Sequence, residues 1–179
     1  RRGGVTIRPF RTNDFAAEVV RCQTVYNAAM KDLWGFVKLT EAEFQYFAKK
    51  LKQMAITEQV LMAEVKGQVV GFSITVPDVN EAIRPLNGRL TRYGLPLGLV
   101  QFLRRKRHIK TARMVVLDVL EEYRRRGIAE LLILRTLDYG KNVIGYTGAE
   151  LSWTQEDNTS VNRTIEAVGA KLLYARADF

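Results

Sequence analysis

The run Met114-Val115-Val116-Leu117-Asp118-Val119-Leu120 is apolar except for one carboxylate, and it leads through Arg124-Arg125-Arg126-Gly127-Ile128-Ala129 into Leu131-Leu132-Ile133-Leu134. The first run is typical of a central strand, and the last is apolar on several faces of a helix, so both demand burial. A strand and a helix that must hide from water, joined by a short turn, require a sheet with that helix laid across it. The rest of the chain supplies the other layers. Val5–Phe10 reads as a strand, and Asn13 or Asp14 can cap a helix with Phe15, Val19, Cys22, Tyr26 and Ala29 at helical spacing. Thr40-Glu41-Ala42-Glu43 is a capping box opening a second helix, whose buried face is Phe44, Phe47, Leu51 and Met54. Val60–Val65 and Val69–Val76 flank Lys66-Gly67-Gln68 as a hairpin, and the alternation of Phe72, Ile74 and Val76 with Ser73 and Thr75 predicts a half-buried strand. Residues 78–110 read as an irregular insertion with short helices near Glu81–Pro85 and Gly98–Arg107. The helix beginning near Gly127 ends at Gly140 or Gly145. Ala149–Thr154 is a strand, Thr159–Val168 a helix and Lys171–Phe179 a last strand. The order β-α-α-β-β-β-α-β-α-β predicts an α/β fold, a mixed sheet flanked by helices.

A chain of 179 residues, 47% hydrophobic, has the material for one domain with one core. No apolar run reaches the roughly 18–20 residues of a membrane span and no signal peptide opens the chain, so a cytoplasmic protein is expected. Cys22 is the only cysteine, which excludes an internal disulfide and a CxxC metal site, and its position on an apolar stripe predicts a buried thiol. The lone His108 has no metal-ligand companion. No metal is expected.

Charge is more informative. The net value is +9, and residues 84–113 hold nine basic residues and no acidic one. Such a block attracts phosphates, nucleic acid or an anionic membrane surface, or simply solvates one face. Without an aromatic-interleaved surface or a nucleic-acid motif, no specific nucleic-acid partner is expected. Leu99, Val100, Phe102 and Leu103 precede Arg104–Arg107, a helix able to lie amphipathically across the domain or on a peripheral anionic surface.

The turn after Leu120 combines the features of an anion site. At a helix start the first N–H groups have no intrahelical partner and share the positive end of the helix dipole. Gly127 permits close backbone approach, Ala129 keeps the helix entrance narrow, and Arg124, Arg125 and Arg126 add charge that a diphosphate can use.

Val119-Leu120-Glu121-Glu122-Tyr123-Arg124-Arg125-Arg126-Gly127-Ile128-Ala129 resembles motif A of the GNAT N-acetyltransferase superfamily, whose [RQ]-x-x-G-x-[GA] core is met by Arg124, Gly127 and Ala129. Glu150-Leu151-Ser152-Trp153, then Glu156-Asp157-Asn158 and Gly169-Ala170-Lys171, are similar to the family's fifth strand, pantetheine-side Asn and closing turn. Trp34-Gly35-Phe36, the long insertion and the 150–158 segment resemble the C-terminal half of long bacterial GNAT-like proteins, which together with the missing start methionine implies a fragment of a longer polypeptide.

The resemblance implies a mostly antiparallel sheet with a V-shaped opening between strands four and five. Acetyl-CoA or another acyl-CoA would lie there, its pantetheine along the backbone near Leu117 and Val119 and beside Asn158. Arg124, Arg125, Arg126, Gly127, Ile128 and Ala129 would hold the pyrophosphate. The implied reaction is direct attack of a small-molecule or peptide amine on the acyl thioester, which needs a base, oxyanion donors and an acid for the thiolate. Two departures stand out. Ile165 occupies the usual place of the family's acid tyrosine, and Arg113 the place where some members carry a glutamate base. Asp118, inside an apolar strand, and Glu150, on one strand face with Ser152 and Thr154, are the substitute carboxylates. Tyr174 and Ser160 are further candidates for proton donation, against the plainer readings of a core or edge tyrosine and a first-turn helix serine. The missing catalysts leave a second reading open, a catalytically silent acyl-CoA-binding or interaction module. The family's seventh strand has no counterpart before Phe179, so a second copy in a homodimer or another domain is expected to cover the last strand.

Overall fold

The apolar run forms β4 (Thr111–Val119) in a computed structural model that describes residues 4–31, 35–91, 95–151 and 159–169. Sheet order follows chain order, β1 (Val5–Pro9), β2 (Val60–Val65), β3 (Gln68–Pro77), β4 and β5 (Gly148–Leu151). The first four strands are antiparallel and β5 joins β4 in parallel, so the sheet is mixed and mostly antiparallel, as expected. The helices are α1 (Phe15–Ala29), α2 (Glu41–Lys52), α3 (Asn80–Ile83), α4 (Leu97–Lys106), α5 (Ile128–Tyr139) and α6 (Thr159–Ala167). The expected last strand lies outside the described residues.

β3 is not half-buried. Ser73 and Thr75 are as inaccessible as Phe72, because this middle strand has α1 on one face and α5 on the other. The core joins Cys22 and Val25 of α1 to Met62, Ala63, Val70 and Phe72 of the sheet and to Ile128 and Leu132 of α5. In α5 the expectation of burial holds for Leu132 and Ile133, whereas Leu134 turns to solvent. Both candidate glycines serve at its end: the α-helix stops at Tyr139, one π-helical turn runs over Gly140–Ile144, and Gly145 closes it in a left-handed conformation. The α2 capping box forms as read, with the Glu43 N–H donating to the Thr40 hydroxyl and the Thr40 N–H to the Glu43 carboxylate. Its apolar face differs from expectation. Phe44 and Leu51 are half-buried while Phe47 is exposed, because α2 stands over a cavity instead of resting on the sheet, and Met54 falls beyond the end of α2 and is exposed.

Ion pairs invisible to local pattern tie these layers. Glu18 of α1 is fully buried, which alone would raise its pKa. Bonds from Arg8, the Arg11 N–H and Arg21 outweigh that and hold its carboxyl below the usual range. Arg8 also reaches Glu64, at 2.7 Å, so β1, α1 and β2 share one network. Asp14 precedes α1 but makes no cap bond, pairing instead with Arg21 at 3.0 Å. The insertion between β3 and β4 is anchored by Glu81, whose carboxylate accepts from the Thr111 hydroxyl at 2.8 Å and the Lys110 N–H at 3.0 Å.

Gly71 sets how closely β3 and β4 approach. A Cβ there would lie 2.9 Å from the Asp118 carbonyl oxygen and 3.1 Å from Val119 Cγ2, closer than packed atoms allow. Gly71→Ala is expected to lower stability by about 1–3 kcal/mol, the usual cost of overpacking. Urea melts check this, and an unchanged midpoint would contradict the tight register.

Candidate functional site

The site is built on the C-terminal half of β4 and the turn that follows it. The β4–β5 ladder covers Thr111↔Gly148 to Met114↔Leu151, while β4 continues to Val119 paired only with β3 among the described residues. Val115 is an extra residue between the pairs Ile74↔Val116 and Thr75↔Met114, a bulge that bends and twists the strand in its middle. Beyond it, Asp118 pairs with Phe72 and the Leu120 N–H donates to the Val70 carbonyl at 2.8 Å. Main-chain groups alternate sides along an antiparallel ladder, so those of Leu117 and Val119 face away from β3. The Val119 carbonyl accepts from Arg124 Nε at 3.3 Å, consistent with that direction. Asn158 and Tyr174, both singled out in the sequence, lie outside the described residues.

At the end of this edge the chain makes a 3-10 turn over Glu121–Tyr123 and enters α5 through left-handed residues Arg125 (φ 64°) and Gly127 (φ 73°). Backbone N–H groups of residues 125–130 donate to no described residue; the Leu131 N–H is the first to find a helical carbonyl, that of Gly127 at 3.0 Å. Ile128 is buried in the core and Ala129 packs against it, which fixes the direction of these donors. A Cβ on Gly127 would meet no atom of a described residue within 4 Å. These features fit a diphosphate. The three arginines are not equivalent, however. Arg124 donates through Nη2 to the Ala29 carbonyl at 2.9 Å, fastening the turn to the end of α1. Arg126 stacks on Tyr123, 4.9 Å from its ring centre, and Arg125 is exposed.

The other face of β4 carries Asp118, which is 5% exposed and has no hydrogen bond to Oδ2 among the described residues. Burial pushes its carboxyl up to about 7, against a smaller opposing effect of Arg124. On the same sheet face, Phe72 lines a cavity of about 520 Å³ between α1, α2 and the sheet. Its walls are chiefly apolar, with Phe15, Cys22, Phe44, Leu51 and Val116 among them, and it reaches the bulge at Val115. Asp118 lies behind this lining, next to Phe72 in register. Tyr26 lines the cavity, and burial together with the Asp118 charge pushes its hydroxyl pKa up. Cys22 is the buried thiol expected: burial raises it to about 12, and it contacts Met62 Sδ at 3.6 Å. Glu150 is elsewhere. Register sets it beside Arg113, whose Nη2 donates to it at 2.6 Å, with Asp78 at 3.8 Å from Arg113 Nε. Five positions of β4 separate Arg113 from Asp118, on the order of 15 Å of strand, so the two candidate carboxylates do not form a pair.

A bulged β4 thus ends in a turn of N–H groups that donate to no described residue, at the start of α5, and an apolar cavity lies between α1, α2 and the sheet. The chain belongs to the Acetyltransferase (GNAT) family, whose model matches residues 23–170. It is 30% identical over 175 residues to Protein YghO of Escherichia coli (strain K12), covering 95% of this chain and 44% of that protein. It is 31% identical over 171 residues to Bacterial ceramide synthase of Caulobacter vibrioides, covering 93% and 44%. The chain thus spans less than half the length of these relatives. Its fold resembles the crystal structure of a GNAT family acetyltransferase from Brucella melitensis in complex with acetyl-CoA, with TM-score 0.58, 18% identity, and 94% and 83% of the two chains covered.

Proposed function

We propose that this domain is an acyl-CoA-dependent N-acyltransferase whose amine substrate carries a hydrocarbon chain. The observation that carries the reading is the run of N–H groups at residues 125–130 that donate to no described residue, placed where β4 hands over to α5. In this reading the edge at Leu117 and Val119 aligns the pantetheine, and Gly127, Ile128 and Ala129 receive the pyrophosphate through backbone donors, with Arg125 and Arg126 adding charge. Coenzyme A supplies the acyl group as a thioester, acetyl being a short one. Asp118, with a pKa near neutrality, takes the amine proton directly or through one water. Tyr26 keeps its proton and is the donor nearest in chemistry to the missing family tyrosine. Glu150, held by Arg113, serves as a positioning partner for β5 in place of a base.

The hydrocarbon follows from the cavity. An apolar space of this size, lined by aromatic and aliphatic side chains, favours a ligand that removes apolar surface from water. One relative is named a ceramide synthase, which agrees with a lipid amine as acceptor. The second reading, a silent binding module, is favoured by Ile165 at the acid position and by Asp118 lying behind the cavity wall.

Thiol release from acyl-CoAs of increasing length, with short and long primary alkylamines, separates these readings. Turnover with a long-chain amine is expected, with kcat/KM rising about fourfold per methylene until the cavity is full. A flat response to amine length would rule out the hydrocarbon assignment. Thermal stabilisation by coenzyme A without thiol release from any pair would establish the silent module.

A further inference from the structure

The basic insertion has no part in the reaction outlined above, and its longest helix is attached to the domain by very little. Gly98 is the only buried residue of α4, and a Cβ there would clash with the Arg89 carbonyl. Phe102, four residues on, is half-buried, so these two mark the inner face. The opposite face holds Val100, Leu103, Arg104 and Arg107, which with His108 line a shallow depression of about 470 Å³. Leu95, Leu97, Leu99, Val100 and Leu103 are each 44–57% exposed, an unusual density of bare aliphatic side chains for one surface. Directly after them come Arg104, Arg105, Lys106 and Arg107, none of which makes an ion pair with a described residue. Arg113 differs, being engaged by Glu150 and Asp78.

We infer that α4 docks the domain on an anionic lipid bilayer, the leucines entering the headgroup–acyl boundary and the arginine cluster meeting lipid phosphates. Two observations argue for this occupant. Bare aliphatic groups followed by unpaired cations on one short helix match the layered chemistry of a bilayer surface, apolar below and anionic above. A nucleic acid would use the cations but leave the leucines in water. No helix among the described residues is long and apolar enough to cross a membrane, so the contact is peripheral. The inference stands independently of the reaction, because these residues belong neither to the 125–130 turn nor to the lining of the apolar cavity.

Co-sedimentation with vesicles tests it. The protein is expected to partition onto phosphatidylcholine vesicles containing phosphatidylglycerol, to do so far less onto pure phosphatidylcholine, and to be released by salt. Arg104→Gln with Arg107→Gln is expected to weaken partitioning about fivefold per arginine. Leu99→Ser with Leu103→Ser is expected to abolish it with little change in melting temperature, since both side chains are already about half exposed to water. Absence of partitioning at low salt, or equal partitioning by the leucine variant, would overturn the inference. So would a concentration-dependent doubling of mass that the leucine variant reverses, which would make a second copy the occupant.

Discussion

Gly127→Glu is expected to eliminate coenzyme A binding while the fold survives. Gly127 has φ 73° at the start of α5, and a Cβ there would meet no atom of a described residue within 4 Å. Any L side chain at that φ carries a conformational cost of about 1–2 kcal/mol. A carboxylate adds a second effect, since it stands before the unpaired N–H groups and confronts a diphosphate with like charge. Such a confrontation costs several kcal/mol, which corresponds to more than about a hundredfold in affinity. Gly127→Ala isolates the first effect: it is expected to lower stability by the conformational cost alone and to retain most of the binding. Thermal melts with and without coenzyme A read both. A ligand at a hundred times its Kd stabilises the wild type by about 2.7 kcal/mol. If the glutamate variant kept that increment, the turn would not be the phosphate site.

The strand–turn–helix at 114–134 was legible in sequence because its signals are local: an apolar run, a glycine and a second apolar run. The capping box of α2 was legible for the same reason. What α2 faces was not. Periodicity reports that Phe44, Phe47 and Leu51 share a face, but a packed sheet and an open cavity impose the same period. The Arg113–Glu150 pair depends on the register of two strands joined through a helix, and that register is a tertiary fact. Arg124 shows the same limit. Its place in the motif suggested phosphate binding, yet its Nε and Nη2 are committed to Val119 and to Ala29, the latter far away in sequence. Asp118 was readable as buried because it interrupts an apolar run, whereas Tyr26 was absorbed into a helical stripe that gave no hint of the cavity it lines.

Asp118→Asn separates a catalytic carboxylate from a merely buried one, through opposite effects on stability and rate. The native carboxyl titrates near 7 and the unfolded one near the ordinary 3.8, because burial disfavours the charged form. Between these values the unfolded chain has lost the proton and the native protein retains it. Fewer protons bound in the unfolded state mean that stability falls as pH rises, by an amount on the order of 4 kcal/mol across this window, and levels off above about pH 7. Asparagine cannot ionise, so the variant is expected to lack this decline and to melt above the wild type at pH 8, with the difference shrinking or reversing at pH 4. The rate should move the other way. A base must be ionised to accept the amine proton, so wild-type kcat/KM is expected to rise through about pH 7, and the variant to lose about 10²–10⁴ in kcat together with that limb. A stability gain at pH 8 with unchanged turnover would make Asp118 a buried group without a chemical role. Loss of turnover without the stability crossover would mean the carboxylate is already ionised in the native protein, and therefore that its burial does not set its basicity.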